Sequence, residues 1–567
     1  MSTAPRRPRT EVDVIADEHF ERALQMSPIA LTEVGSPLRQ DEYDDFSPAG
    51  QGVMDELNRE TLARLAAATP VDVVDKVTIA AMRERLGLEV EMHEQGLDLL
   101  GINNITSGLH AIRAVYDQMP TATVEDWRTI IRRLRAVPTA VITWFISQQA
   151  SIEQDIRPAR RQVEQLAGQV EAWVAEGGFF DGLRDGARTD EGPLPADVAA
   201  DLARAVETAR RSYRQAAARL RTDIMAEAVE ADGVGAERYR YFSRAALGAR
   251  IDLAETYHWG LAEVERIRRL EQETAERIRP GASIEQAVEL LDADERYALH
   301  GTEALQAWMQ QTADRAVAEL ADVHFDIPEP IRRIECCIAA TQDGGIYYTG
   351  PSEDFSRPGR MWWSVPEGVE RFTTWRELTT VYHEGVPGHH LQIGQTTYRA
   401  ELLNRWRRLG CWVSGHGEGW ALYSEWLMAD LGHLDDPGHL MGMLDAQMLR
   451  AVRVVIDIGL HCGLEAPEEV GGGSWDFDKA WAYFNRYVFM DEAFASFEVN
   501  RYAGWPGQAP SYKLGERLWM QLRDEVRAAR EARGEDFDLK DFHRTALDLG
   551  GLGLDVLRAA VLDISGV

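Results

Sequence analysis

The stretch YHWGLAEVERIRRLEQETAERI, residues 257–278, decides the fold class. Leu261, Val264, Ile267 and Leu270 recur at a helical interval, while Glu263, Arg266, Arg269 and Glu271 fall between them. That spacing predicts an amphipathic helix with the first set facing a core and the second facing water. Residues 196–230 have the same texture, rich in Ala, Leu, Glu and Arg, and the pattern stays helical from residue 11 to about residue 322. A Gly- and Asp-rich loop is expected at residues 177–193 and a turn at residues 232–235.

After residue 326 the texture changes. Residues 331–340, 345–349 and 360–365 are short, β-branched or aromatic, and separated by Gly, Pro and Ser, which predicts a small sheet. Helical patterning returns at Thr374 and continues to the C-terminus. The expected fold class is therefore mainly α: a large helical fold, like that of a metallopeptidase, with a small β-sheet next to the metal-site helix. Residues 1–325 are expected to form a helical region covering a cleft and residues 326–567 the metal-site region, the two making one continuous unit.

Composition narrows the function classes. Hydrophobic residues make up 45% and charged residues 27% of the 567, as in ordinary globular proteins. A formal net charge of −32 opposes a polyanionic partner, so nucleic acid is set aside. The longest apolar run, near residues 136–146, contains Pro138 and is too short to span a bilayer, and residues 1–20 do not read as a secretory signal. The four cysteines, Cys336, Cys337, Cys411 and Cys462, lack paired CxxC spacing. They are expected to be reduced, mostly buried thiols in a cytoplasmic protein.

The chemistry-bearing stretch is Tyr382-His-Glu-Gly-Val-Pro-Gly-His-His-Leu-Gln392. It invites comparison with HExxH, in which two His at i and i+4 share a helix face, bind zinc, and leave Glu beside the metal's water as base. Here Pro387 occupies i+4. On a straight helix His389 would point about 240° away from His383, and His390 would lie about 10.5 Å further along. Pro387 and Gly388 should therefore bulge the helix and bring one of the two back into range. His389 is preferred as the second ligand, because Gly-His after the bulge mirrors the end of the shorter motif; His390 is the alternative.

A catalytic zinc usually keeps three protein ligands. Gly415-His-Gly-Glu-Gly-Trp-Ala-Leu-Tyr-Ser-Glu425 offers Glu418 and Glu425, seven residues and about 10.5 Å apart along a helix, so only one should reach the metal. Glu418, flanked by Gly417 and Gly419, is preferred; Glu425 is the alternative, or a carboxylate that orients a ligand histidine. His416 is a candidate substrate contact. Residues 500–515 are dense in Gly, Pro and aromatics, where Tyr502 or Tyr512 could donate to an oxyanion and Arg501 or Lys513 could pair with a substrate carboxylate. His461 follows an apolar helix and is a further candidate, as is Tyr348 on a strand able to receive an extended peptide along its edge.

Together these segments resemble the bacterial proteins grouped as domain of unknown function 885, which look related to the gluzincin metallopeptidases. The residues carrying the resemblance are His383-Glu384 with Pro387-Gly388-His389-His390, Glu418-Gly419-Trp420-Ala421, Asp457-Ile-Gly-Leu-His461, Arg501-Tyr502, Pro506-Gly507-Gln508-Ala509 and Tyr512-Lys513. Weaker echoes lie in Ala16-Asp-Glu-His-Phe20 and Tyr257-His-Trp-Gly260. Kinship with gluzincins implies one zinc per chain held by two His and one Glu, with Glu384 as general base; it does not identify a substrate.

The expected activity is a zinc-dependent oligopeptidase or carboxypeptidase on short peptides, since a helical cover would limit access to flexible chains. Two other readings are a zinc-dependent amide or ester hydrolase of a small metabolite, and a non-catalytic protein binding metal or peptide.

Overall fold

The computed structural model describes residues 7–339 and 345–567, so residue 340, the end of the first expected strand stretch, lies outside them. The described chain is mainly α-helical, with small sheets. The principal hydrophobic core joins residues from both ends of the chain, from Val12, Phe20 and Met82 through Tyr257 and Phe325 to Trp420, Val455 and Leu557, and so runs across position 325. A second core, built from residues such as Leu109, Trp127, Phe145, Leu202 and Tyr213, belongs to the helices between residues 102 and 224. Residues 177–193 are more structured than a loop: they form the helix Phe179–Asp185 and a pairing of Arg188–Thr189 with Gly192–Pro193.

Helix α1, Leu253–Ile278, starts where the Asp252 side chain accepts from the Glu255 N–H. Its buried stripe is rotated from the expected one. Val264 and Ile267 are buried, but Leu261 and Leu270 are only partly so, and Gly260, Glu263 and Glu271 are buried instead. Gly260 lies where a Cβ would stand 2.9 Å from Val454, so its lack of a side chain lets a second helix cross closely. Glu263 is turned inward because it meets a buried lysine, described below.

Helix α2, Thr302–Leu320, backs a three-stranded sheet of β1, Ile334–Ile338, β2, Ile346–Thr349, and β3, Gly359–Trp363. Its order is β1-β3-β2, with β1 parallel and β2 antiparallel to β3. Alternation puts Ile334, Cys336, Met361 and Trp363 on one face, packed with Leu305 and Met309 of α2 and with Val381. Val381 belongs to α3, Thr374–Glu384, so the sheet fixes the helix that presents His383 and Glu384.

Four more helices frame this point: α4, His389–Tyr398; α5, Ser414–Asp430; α6, Pro437–Cys462; and α7, Glu492–Gly504, followed by α8, Ser511–Ala532. Gly419 of α5 packs where a Cβ would stand 2.4 Å from the Gly515 backbone of α8, and Gly417 faces the Trp412 ring in the same way. These glycines allow close approach, but of a second helix and an indole. No helix among the described residues is long and apolar enough to cross a membrane.

Candidate metal centre

The break after Glu384 is complete, where the sequence suggests only a bulge. Helix α3 ends with the Gly385 N–H donating to the Val381 carbonyl, a four-residue turn with a cis Val386–Pro387 bond follows, and α4 begins at His389. Gly388 donates its N–H to the Tyr382 carbonyl at 3.1 Å, and a Cβ there would stand 1.9 Å from the His383 carbonyl oxygen. Only glycine fits. The Trp420 indole N–H donates to the Pro387 carbonyl at 2.8 Å, tying the turn to α5.

This turn folds α4 back so that the His383 and His389 rings stand 4.9 Å apart at 88° to each other. Glu418 of α5 places Oε2 3.3 Å from His383 Nε2 and 3.3 Å from His389 Nε2. Ligands held at about 2.0–2.1 Å in a tetrahedron lie about 3.3–3.4 Å from one another. Both separations match that edge and exceed the usual N–H···O length of about 2.9–3.0 Å. The carboxylate of Glu384 stands beside the same two histidines, with one ligand atom from each of the three within 4.8 Å of the others. The donor set of two imidazoles and a carboxylate thus suits a zinc ion, with the Glu384 carboxylate beside it.

Glu425, two helical turns beyond Glu418, meets the other nitrogen of the same ring: the His383 Nδ1–H donates to Oε1 at 2.8 Å. Gln447 of α6 donates to Glu425 Oε2 at 3.2 Å, and Lys513 donates to Gln447 Oε1 at 2.6 Å. His389 Nδ1 is buried with no protein partner among the described residues, and the ring lies 6.2 Å from that of Trp412, which is 55% exposed.

The charges converge on one requirement. Burial pushes the His383 pKa down, but Glu418 and Glu425 outweigh it and hold the imidazolium up to about 10. The two histidines hold Glu418 well below the usual carboxylate range against the cost of burial. The cluster stabilises positive charge at its centre. Burial raises the proton affinity of Glu384, partly countered by the two histidines, as suits a base that must hold a proton in transit.

Several other sequence candidates sit elsewhere. His390 donates from Nε2 to the Ile331 carbonyl at 2.7 Å and accepts the Tyr348 hydroxyl at Nδ1, 2.9 Å away, so neither nitrogen is left for a metal. Tyr348 is thereby committed to the histidine, on a strand at one side of the sheet. Lys513 is 0% exposed, and its Nζ is occupied by Gln447, Glu516 at 2.7 Å and Glu263 at 3.0 Å, leaving no hydrogen for a substrate carboxylate. His461 is buried against Tyr239 and contacts the Tyr502 carbonyl through Nε2 at 2.8 Å; it supports α7 from behind. His416 is buried beside Gln392 and Trp519, not exposed.

The two tyrosines differ. Tyr502 accepts from Arg453 Nε at 3.0 Å and donates to Glu498, which commits its one hydrogen. The Tyr512 hydroxyl makes no hydrogen bond among the described residues, and burial together with the nearby Glu418 charge raises its pKa to about 12. The Arg453 guanidinium lies 5.0 Å from its ring. Gln447, Arg450 and Arg453, absent from the sequence reading, follow one another at i, i+3 and i+6 along α6 and bring polar groups to the site. Their signal was three polar side chains at helical spacing at the start of an otherwise apolar run.

A family model described as "Bacterial protein of unknown function (DUF885)" matches residues 28–561. No curated protein matches the chain. Among solved structures, a "putative lipoprotein" from Colwellia psychrerythraea is similar with a TM-score of 0.83 and 23% identity, covering 98% of this chain and 99% of its own. A "putative lipoprotein of unknown function" from Shewanella oneidensis has a TM-score of 0.73 and 14% identity, covering 98% and 100%. At these identities the likeness is one of fold, whereas the family match spans nearly the whole sequence: the chain belongs to the DUF885 family.

Proposed function

We propose that the chain is a zinc-dependent metallopeptidase acting on short peptides, with His383, His389 and Glu418 as metal ligands. The observation that carries this reading is the position of Glu418 Oε2, 3.3 Å from Nε2 of both histidines, with Glu384 alongside. The likeness of the motif to that of gluzincins supports it.

Zinc bound there would supply Lewis acidity, polarising a substrate carbonyl and lowering the pKa of its water to about 7. Glu425 holds His383 in the tautomer that offers Nε2 to a metal. Glu384 accepts the proton of the attacking water and passes it to the leaving amine, a role its raised proton affinity suits. Tyr512, with its hydroxyl uncommitted and close enough to feel Glu418, donates to the oxygen on which negative charge develops.

The test is hydrolysis of a mixed short-peptide library by the zinc-loaded protein and by Glu384→Gln. Cleavage by the first and none by the second, at equal zinc content, is the expected result. Zinc binding without cleavage of any peptide would overturn the peptidase reading.

A further inference from the structure

Beside the ligand cluster lies a concentration of positive charge that the chemistry above leaves unused. Helix α6 passes the site with Gln447 bonded to Glu425, and Arg450 and Arg453 follow at i+3 and i+6, each about one turn further along and about 60° further round the helix. Arg501 of α7 stands over the Tyr502 ring, its guanidinium carbon 5.6 Å from the centroid. Tyr512 lies among all three arginines and Glu418, each of which acts on its hydroxyl. Gln447 bonds the Glu425 carboxylate that holds His383, so Arg450, about one turn beyond Gln447 on α6, lies next to the ligand cluster.

The three guanidinium groups are unequally satisfied. Arg453 is held by Glu498 at 2.7 Å and by Tyr502. Arg501 is 9% exposed, yet among the described residues its Nε and Nη2 have no hydrogen-bond acceptor, and its ion-pair carboxylate is that same Glu498 at 3.5 Å. Arg450 has no carboxylate within 4.0 Å among the described residues; Nη1 donates to the Ala446 carbonyl of its own helix, and its buried Nε has no partner. The neighbouring Asp445 is taken by Arg376 at 2.5 Å. Arg453 and Arg501 therefore share the one carboxylate of Glu498, while Arg450 has no ion-pair partner among the described residues. Buried guanidinium donors without acceptors are costly and call for an anion.

We propose that Arg450 and Arg501 form a subsite for the C-terminal carboxylate of the substrate, with Arg453 as a positioning residue that holds Tyr502 and Glu498 in place. This rests on the peptidase reading and deepens it: the substrate class is short peptides with a free C-terminus, cleaved near that end. The planar, forked donors of arginine match a carboxylate. Lys513, the other basic candidate from the sequence, is spent on internal carboxylates and leaves this task to α6 and α7.

The experiment is calorimetric titration of the zinc-supplemented Glu384→Gln protein with an N-acetylated tripeptide as free acid and as C-terminal amide. It is repeated in the Arg450→Gln and Arg501→Lys backgrounds, with melting and zinc content as checks on folding. The acid is expected to bind roughly 30-fold more tightly than the amide, and each arginine change to cut acid affinity roughly tenfold or more while leaving the amide unchanged. Equal binding of acid and amide, or an acid preference that survives both changes, overturns the subsite. Should neither peptide bind, glutarate decides: binding that is lost in Arg450→Gln sustains the carboxylate site and sinks the peptide reading alone, and no glutarate binding sinks the subsite.

Discussion

Glu418 and Glu425, two turns apart on one helix, approach opposite nitrogens of the same ring: Glu418 lies 3.3 Å from His383 Nε2 and Glu425 2.8 Å from His383 Nδ1. The imidazole spans the rise between them. One carboxylate is thus placed to share a metal with the ring while the other fixes its tautomer.

Glu425→Gln should keep the fold and lower zinc affinity by roughly 10–100-fold, because the amide cannot stabilise positive charge on His383 as a carboxylate does. Competition with a fluorescent chelator measures this. Unchanged affinity would remove Glu425 from the metal site.

Lys513→Met should cost stability more than substrate binding. Its ammonium is buried between Glu263 and Glu516, and burial raises the Glu516 pKa to about 7 even with the lysine present. Removing one member of a buried ionic cluster costs about 3–5 kcal/mol. Urea unfolding should show a loss of that order, with KM for peptide acids unchanged; a raised KM at full stability would return Lys513 to the substrate site.

The tyrosines should separate in the same assays. Tyr512→Phe should lower kcat by roughly 10²–10³-fold with little change in unfolding free energy, since its hydroxyl has no hydrogen bond among the described residues. Tyr502→Phe should cost about 1–3 kcal/mol, because Arg453 and Glu498 each lose a buried partner. Interchanged effects would assign oxyanion stabilisation to Tyr502.

Acid should unfold the protein through its buried histidines. Burial lowers the pKa of His461 to about 4 and of His543 to about 3, from 6.5. Between those values and 6.5 the unfolded chain binds more protons than the folded one. Stability therefore rises with pH through this window and is lost as pH falls, by about 1.4 kcal/mol per unit for each histidine. Melting temperatures from pH 7 to 4 should fall accordingly, and His543→Gln should flatten the slope; a flat profile would mean that these rings take up protons in the fold.

The legible part of the sequence was what local pattern carries. Helical spacing gave the α class, and the Pro387-Gly388 pair marked the place where the chain departs from a straight helix and His389 comes back towards His383. The rest depends on what crosses from other elements. Glu263 reads as solvent-facing until Lys513 is found opposite, and His461 and Lys513 read as reactive until their partners on α7, α1 and α6 are known. Arg450 carries no motif at all; its interest comes from lying one turn beyond Gln447, which only the fold places against Glu425. What engages His390 Nε2 is a backbone carbonyl, that of Ile331, far away in sequence.

The most direct test of the central claim is metal content with X-ray absorption on the purified, zinc-supplemented protein and on His383→Ala, His389→Ala, Glu418→Ala and Glu384→Gln. The account predicts one zinc per chain with nitrogen and oxygen neighbours at about 2.0–2.1 Å, lost in the first three variants and retained in the fourth. No bound zinc, or zinc that survives removal of His389 and Glu418, would contradict it.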